Sequence, residues 1–200
     1  AAAKCGLSIS KLAVASNRND ILTRFFTSGT MKAESVHSTF SPSMDIQISS
    51  NFERLLFDLC GQDGCELVRY MEQMKGSGGF AVAPVQLAQA RQIFSAARVD
   101  DALTLKTIAD VYRESGYVLD PHSAVGVAAA RQLARELPNP VVMLACAHPA
   151  KFPETIRRAI GIAPPLPPLV EDLLRKPERI VKLPADISVI QKFISERAVS

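Results

Sequence analysis

Apolar residues along this chain fall into two kinds of run. Short runs at 11–16, apolar from 12 to 15, and at 141–146 each close in a polar turn that leads into a helical pattern, and both read as buried parallel strands. Longer stretches carry apolar residues three and four apart and read as helices. They cover 21–28 stopped by Gly29, 51–60 stopped by Gly61, 63–75, 84–97, 103–115 stopped by Gly116, 123–137, and 153–160 stopped by Gly161. Asn19 or Asp20, Ser50 with Glu53 three residues later, and Asp63 are placed to cap the first three of these, and Pro153 suits a first helical turn. Val125, Ala128, Ala129 and Leu133 share one face of an alanine-rich helix, which predicts close packing on a sheet.

Between these elements the pattern is weaker. Residues 30–49 show no period and read as a long loop with a turn at 41–43, and four residues at 76–79, three of them glycine, break the helix before them. Residues 1–6 read as the tail of a helix closed by Gly6 with no helix start, so the chain is expected to continue upstream. The proline run at 164–168 reads as an extended connector. A short helix at 170–174, an extended 180–183 and a final helix at 186–198 complete the series. Few strands among many helices imply an α/β fold with an incomplete open, mostly parallel sheet flanked by helices. Its expected organisation is a core portion at 1–163, with a helical insertion at about 30–100, and a proline-rich connector with a helical tail at 164–200.

Composition narrows the function. With 23 Lys and Arg against 20 Asp and Glu, interleaved, the net charge of +3 forms no basic run, and the chain lacks tryptophan, so nucleic acid is not an expected partner. No apolar stretch is long enough to span a bilayer and no signal-peptide pattern opens the chain, so a cytoplasmic location is expected. Cys5, Cys60, Cys65 and Cys146 match no zinc or redox spacing and read as reduced, structural thiols. His37, His122 and His148 lie too far apart for a metal motif, and neither a phosphate-binding glycine loop nor Gly-x-Ser-x-Gly occurs.

The carboxyl ends of parallel strands are where ligands bind in open α/β sheets, which directs attention to two turns. One is Asn17, Arg18, Asn19 and Asp20 after the first strand. The other is Cys146 with Ala147-His148-Pro149-Ala150-Lys151-Phe152, where Lys151 could face an anion. Ser43, Asp45, Asn51 and Arg54 are further candidates for an anionic substrate, since arginine matches phosphate geometry. His122 reads as a polar capping residue at a helix start.

Taken in order, four segments carry a resemblance. They are Val-Ala-Ser-Asn-Arg-Asn-Asp-Ile-Leu-Thr-Arg-Phe at 14–25, Ser-Pro-Ser-Met-Asp-Ile at 41–46 leading to Ser-Asn-Phe-Glu-Arg-Leu-Leu at 50–56, Asp-Pro-His-Ser-Ala-Val at 120–125, and Ala-His-Pro-Ala-Lys-Phe at 147–152. Together they resemble the carboxyl-terminal portion of threonine synthase, a fold-type II pyridoxal-phosphate enzyme of the tryptophan synthase β-like family. The resemblance implies conversion of O-phospho-L-homoserine and water to L-threonine and phosphate, with pyridoxal 5'-phosphate as cofactor. It also implies that the Schiff-base lysine of a Ser-Phe-Lys motif and a Gly-Asn-Phe-Gly phosphate loop lie in an amino-terminal half, because neither motif occurs here.

The chain alone is therefore expected to be inactive and to need that half as its partner. In this family a neutral hydroxyl residue, Thr, stands before Ala-His-Pro-Ala-Lys-Phe, against the pyridine nitrogen. Here that position is Cys146, a weaker but still neutral partner. A threonine synthase-like phospho-lyase, or a non-catalytic interaction domain on the same scaffold, would share these residues.

Overall fold

The computed structural model describes residues 2, 4–172 and 175–198. It divides into two compact units, Ala1–Pro165 and Leu166–Ser200. In the first, β1 (Leu12–Ser16) leads through a polar turn into α1 (Ile21–Ser28), as the apolar pattern predicts. Gly29 ends α1 at φ 77°, a left-handed conformation that glycine adopts without steric cost. Then come β2 (Thr30–Lys32), α2 (Glu53–Leu59), α3 (Gly64–Ser77), β3 (Gly79–Ala81), α4 (Pro84–Ile93), β4 (Phe94–Arg98), α5 (Asp101–Ser115), α6 (Pro121–Gln132) and α7 (Pro153–Ile160).

The fold is α/β, with a short parallel sheet flanked by helices. β1 and β4 pair in parallel, from Leu12 opposite Phe94 to Ser16 opposite Arg98, while β2 and β3 form a separate antiparallel pair with Met31 opposite Phe80. Three of these strands differ from the sequence reading. β2 and β3 are three residues each, too short to show a period. β4 lies where a helix is predicted to continue to residue 97. Its alanines suit either state and no glycine or proline separates it from α4, yet Phe94 is already extended, and Ser95 and Ala97 are buried in alternation.

The expected strand at 141–146 is corrected as well. These residues join no ladder among the described residues, and Val142 and Leu144 are 82% and 77% exposed. Composition alone does not make a strand: the run needs neighbours on both sides, and the two-stranded sheet supplies none to it. Two caps also differ. Asp20 makes no side-chain cap bond to α1, because its carboxylate pairs with Arg24 at 3.0 Å and Arg98 at 3.4 Å. Ser50 opens a 3₁₀ turn, Ser50–Phe52, instead of capping α2. Asp63 does cap α3, accepting from Cys65 N–H at 2.8 Å.

Three apolar clusters hold this unit together. The largest gathers Phe25, Phe26, Phe52, Leu56, Tyr70 and Phe80 between α1, α2, α3 and the β2–β3 pair. Phe25 is fully buried, edge-on to Phe26 and Phe52 at 5.3 and 4.6 Å between centroids. The second packs Val125, Ala128 and Ala129 of α6, with Leu133 just after it, against Ala97 and Val99, so the small residues of α6 face the sheet as their spacing predicts. The third joins Ile108 of α5, Ala124 of α6 and Ile156 of α7.

In the second unit a 3₁₀ turn, Pro168–Val170, stands where a helix at 170–174 is predicted, and residues 173 and 174 lie outside the described residues. Residues 180–183 join no ladder among the described residues. α8 (Ile187–Ser195) is capped by Asp186, and its Ile187 and Ile194 are exposed. At the other end of the chain residues 4–6 form a turn rather than helix, with Gly6 at φ 94°, while Ala1 and Ala3 lie outside the described residues.

Candidate functional site

The turn after β1 is folded onto the long loop that follows β2. Asn17 is 1% exposed, and its Nδ2 lies 2.8 Å from Thr39 Oγ1, 3.0 Å from Ser41 Oγ and 2.8 Å from Asp45 Oδ1. Its Oδ1 accepts the Asn19 N–H at 2.8 Å. Asn19 donates to the His37 carbonyl and accepts the His37 N–H, both at 2.8 Å, and also donates to Asp45 at 3.0 Å. Asp45 further accepts the Thr39 N–H and hydroxyl. A loop without secondary structure needs partners for its backbone groups, and side-chain amides and one carboxylate supply them. The polar atoms of Asn17, Asn19 and Asp45 are thus taken up by one another and by the loop, while Arg18 and the Ser43 side chain remain exposed.

A second network centres on Asp120, at the start of α6. The sequence reading gives the cap to His122, but the cap is Asp120, whose Oδ1 accepts the His122 and Ser123 N–H groups at 3.0 and 3.4 Å. The same oxygen accepts from His122 Nδ1 at 3.0 Å, and His122 Nε2 accepts the Ser43 N–H at 3.1 Å. A ring nitrogen that accepts an amide proton carries none of its own, which leaves Nδ1 as the donor to Asp120 in this arrangement. Its ring is 6% exposed and lies 4.8 Å from that of Phe152.

Asp120 Oδ2 accepts from the Ser123 hydroxyl and from the Ala147 N–H at 3.3 Å, and Ser123 Oγ accepts the Cys146 N–H at 3.0 Å. Serine, histidine and aspartate meet here, but the serine hydroxyl bonds to the carboxylate and not to the imidazole, and it is buried. The arrangement for a nucleophilic serine is absent from this trio.

The structure therefore brings the two strand-end turns of the sequence reading to two polar networks joined through the backbone at 41–43, where the Ser43 N–H reaches His122. The Cys146 side chain is exposed, as are His148, whose Nδ1 accepts the Ala150 N–H and caps the turn Pro149–Lys151, and Lys151. Asn51 and Arg54 bond each other at 2.6 Å on the surface of the Ser50–Phe52 turn and α2, and neither bonds to either network. Thr39, Ser41, Asp120 and Ser123 were not singled out as site residues. The Asp-Pro-His-Ser motif carried the signal for two of them, since it marks a helix start and belongs to one of the four segments of the resemblance.

A family model described as "Threonine synthase, C-terminal" matches residues 123–194. Threonine synthase from Pseudomonas aeruginosa is 47% identical over 96% of this chain and 41% of its own length. A solved structure titled as a pyridoxal-phosphate-bound threonine synthase from Brucella melitensis superposes with a TM-score of 0.89 at 42% identity, over 98% of this chain and 43% of that one. The chain matches the carboxyl-terminal part of threonine synthase. Threonine synthase from yeast superposes on it with a TM-score of 0.84 at 34% identity, again over 43% of the solved chain. The chain thus spans about two fifths of the length of the threonine synthases it matches. No described helix is long and apolar enough to cross a membrane.

The thiols separate by environment. Burial pushes the Cys60 thiol up, and the Glu66 carboxylate nearby acts in the same direction, whereas Cys5 and Cys65 are exposed. A thiol-specific reagent at pH 8 is expected to modify Cys5 and Cys65 at least about tenfold faster than Cys60, as mapped by mass spectrometry. Equal rates would contradict the burial of Cys60.

Proposed function

We propose that this chain forms the carboxyl-terminal part of a cytoplasmic threonine synthase. That protein would convert O-phospho-L-homoserine and water to L-threonine and phosphate, with pyridoxal 5'-phosphate held between this part and an amino-terminal half. The observation that carries the reading is the agreement over nearly the whole chain with a pyridoxal-phosphate-bound threonine synthase. When bound, the cofactor supplies an electron sink for carbanionic states of the amino-acid substrate. The lysine and the phosphate-binding loop this chemistry needs are absent from the sequence.

The residues present fit that cofactor on its pyridine-nitrogen side. A carboxylate aimed at this nitrogen would hold it protonated, whereas a neutral donor would not. Both oxygens of Asp120, the carboxylate bonded to the 146–147 turn, are already engaged by five donors, and the Cys146 and Ala147 N–H groups are also taken. The exposed Cys146 thiol, in weak contact with the Leu144 carbonyl at 3.6 Å, is left as the neutral group to face the ring. Asn17, Asn19 and Asp45 shape the wall on the substrate side, and Asp20 beside it is paired with Arg24 and Arg98. The exposed Arg18, Ser43, His148 and Lys151 are the groups free to meet the substrate phosphate, with Asn51 and Arg54 further out.

The test joins this chain to its amino-terminal half and supplies phosphohomoserine. Release of phosphate with equimolar threonine is the expected result, and this chain alone is expected to give neither. Phosphate with 2-oxobutyrate and no threonine would replace the synthase by a phospho-lyase. No phosphate from the joined protein would leave an interaction domain.

A further inference from the structure

Asp120 does more than a helix cap requires. Capping α6 needs an acceptor for the first free amides, which Oδ1 provides to His122 and Ser123. Oδ2 faces another segment, accepting the Ala147 N–H at 3.3 Å and the Ser123 hydroxyl, and Ser123 Oγ accepts the Cys146 N–H at 3.0 Å. Two successive amides of the 146–147 turn are thereby held by two side chains of one helix start. No ladder bonds fix the backbone of this turn among the described residues, so these two bonds hold it to α6, and the remaining contact at Cys146 is the weak one from its thiol to the Leu144 carbonyl at 3.6 Å. Ser123 is 3% exposed and has both hydroxyl roles filled, one as donor to a fixed carboxylate and one as acceptor.

We infer that Ser123, locked by Asp120, is a positioning residue: it aims the Cys146 side chain by holding the Cys146 backbone amide. The inference rests on the proposed function, in which that thiol faces the pyridine nitrogen. The direction of Cα–Cβ follows from the backbone on either side of Cα. With Ala147 N–H pinned to Asp120, release of the Cys146 N–H lets the peptide before Cα rotate and swings Cβ away from its aim. Serine suits the task because its oxygen donates and accepts at once. Alanine does neither, and threonine does both.

The test uses the full-length protein loaded with pyridoxal phosphate and compares Ser123→Ala, Ser123→Thr and Cys146→Ala. The readouts are the absorption and emission maxima of the bound cofactor, its dissociation constant, and the alkylation rate of Cys146 in the cofactor-free protein. Cys146→Ala is expected to shift the maxima. Ser123→Ala is expected to shift them in the same sense, weaken cofactor binding by about five- to tenfold and change the Cys146 alkylation rate severalfold, with Ser123→Thr restoring all three.

A shift with Cys146→Ala and none with Ser123→Ala would overturn the inference and leave the proposed function standing. A shift with Ser123→Ala alone would also overturn it, since the effect would not pass through the thiol. No shift with either variant would overturn the placement of Cys146 at the ring, and the inference with it. Should Ser123→Ala not yield folded protein, Ser123→Cys keeps the shape with a weaker acceptor, and unchanged maxima in it would overturn the inference equally.

Discussion

Replacement of Asp120 by alanine is expected to lower the unfolding free energy of the full-length protein by about 3–5 kcal/mol. The change removes a helix cap and leaves His122 Nδ1–H and the Ser123 hydroxyl as buried donors without partners. The cap alone accounts for about 1 kcal/mol, and each orphaned buried donor for about 1–3 kcal/mol. Asparagine in its place offers one acceptor oxygen and one NH₂ group, so it should recover the Oδ1 bonds and confront the Ala147 N–H with another donor. Its loss should fall between that of wild type and alanine. Denaturant unfolding with cofactor present measures both, and a loss below about 1 kcal/mol for alanine would show that the network is not fully buried in the whole protein.

The second large effect is expected at Asn17. Alanine there removes the group that joins the turn after β1 to Thr39, Ser41 and Asp45, with an expected loss of about 2–4 kcal/mol. Aspartate should lose more than alanine, because it sets a second carboxylate where the Asn17 amide now stands 2.8 Å from Asp45. Both variants should speed proteolytic cleavage within residues 33–48 before the rest of the protein is cut. An aspartate variant as stable as wild type would rule out the observed pairing with Asp45.

Much of the architecture could be read from local pattern, and the reason is local as well. α1, α3, α5 and α7 end at glycines with positive φ, and α3 begins at a side-chain cap, so their bounds are written within a few residues of where they fall. The turn from Asn17 to Asp20 was legible as a strand end for the same reason. β4 was not, since Phe94 to Arg98 take their conformation from β1, whose paired residues lie 82 positions earlier, and alanine has no strong preference against either state.

The polar site was legible in position and not in wiring. That Asn17 bonds Asp45, or that Ser123 holds Cys146, depends on pairs separated by 28 and 23 residues, which no spacing rule reaches. Asp20 shows the same limit from the other side. Its place before α1 fits a cap, but Arg24 and Arg98 stand close enough to take its carboxylate.

The bare run at 141–146 bears on the order in which the protein must be made. Val-Val-Met-Leu-Ala-Cys is uncharged and β-prone, with backbone groups outside any ladder, the kind of window that pairs with a second copy when left uncovered. Under the proposed function the amino-terminal half leaves the ribosome first and is folded or folding when this window emerges. Synthesis in the opposite order, as in a circular permutant that starts with these residues, would present the sticky edge to the cell before its cover exists.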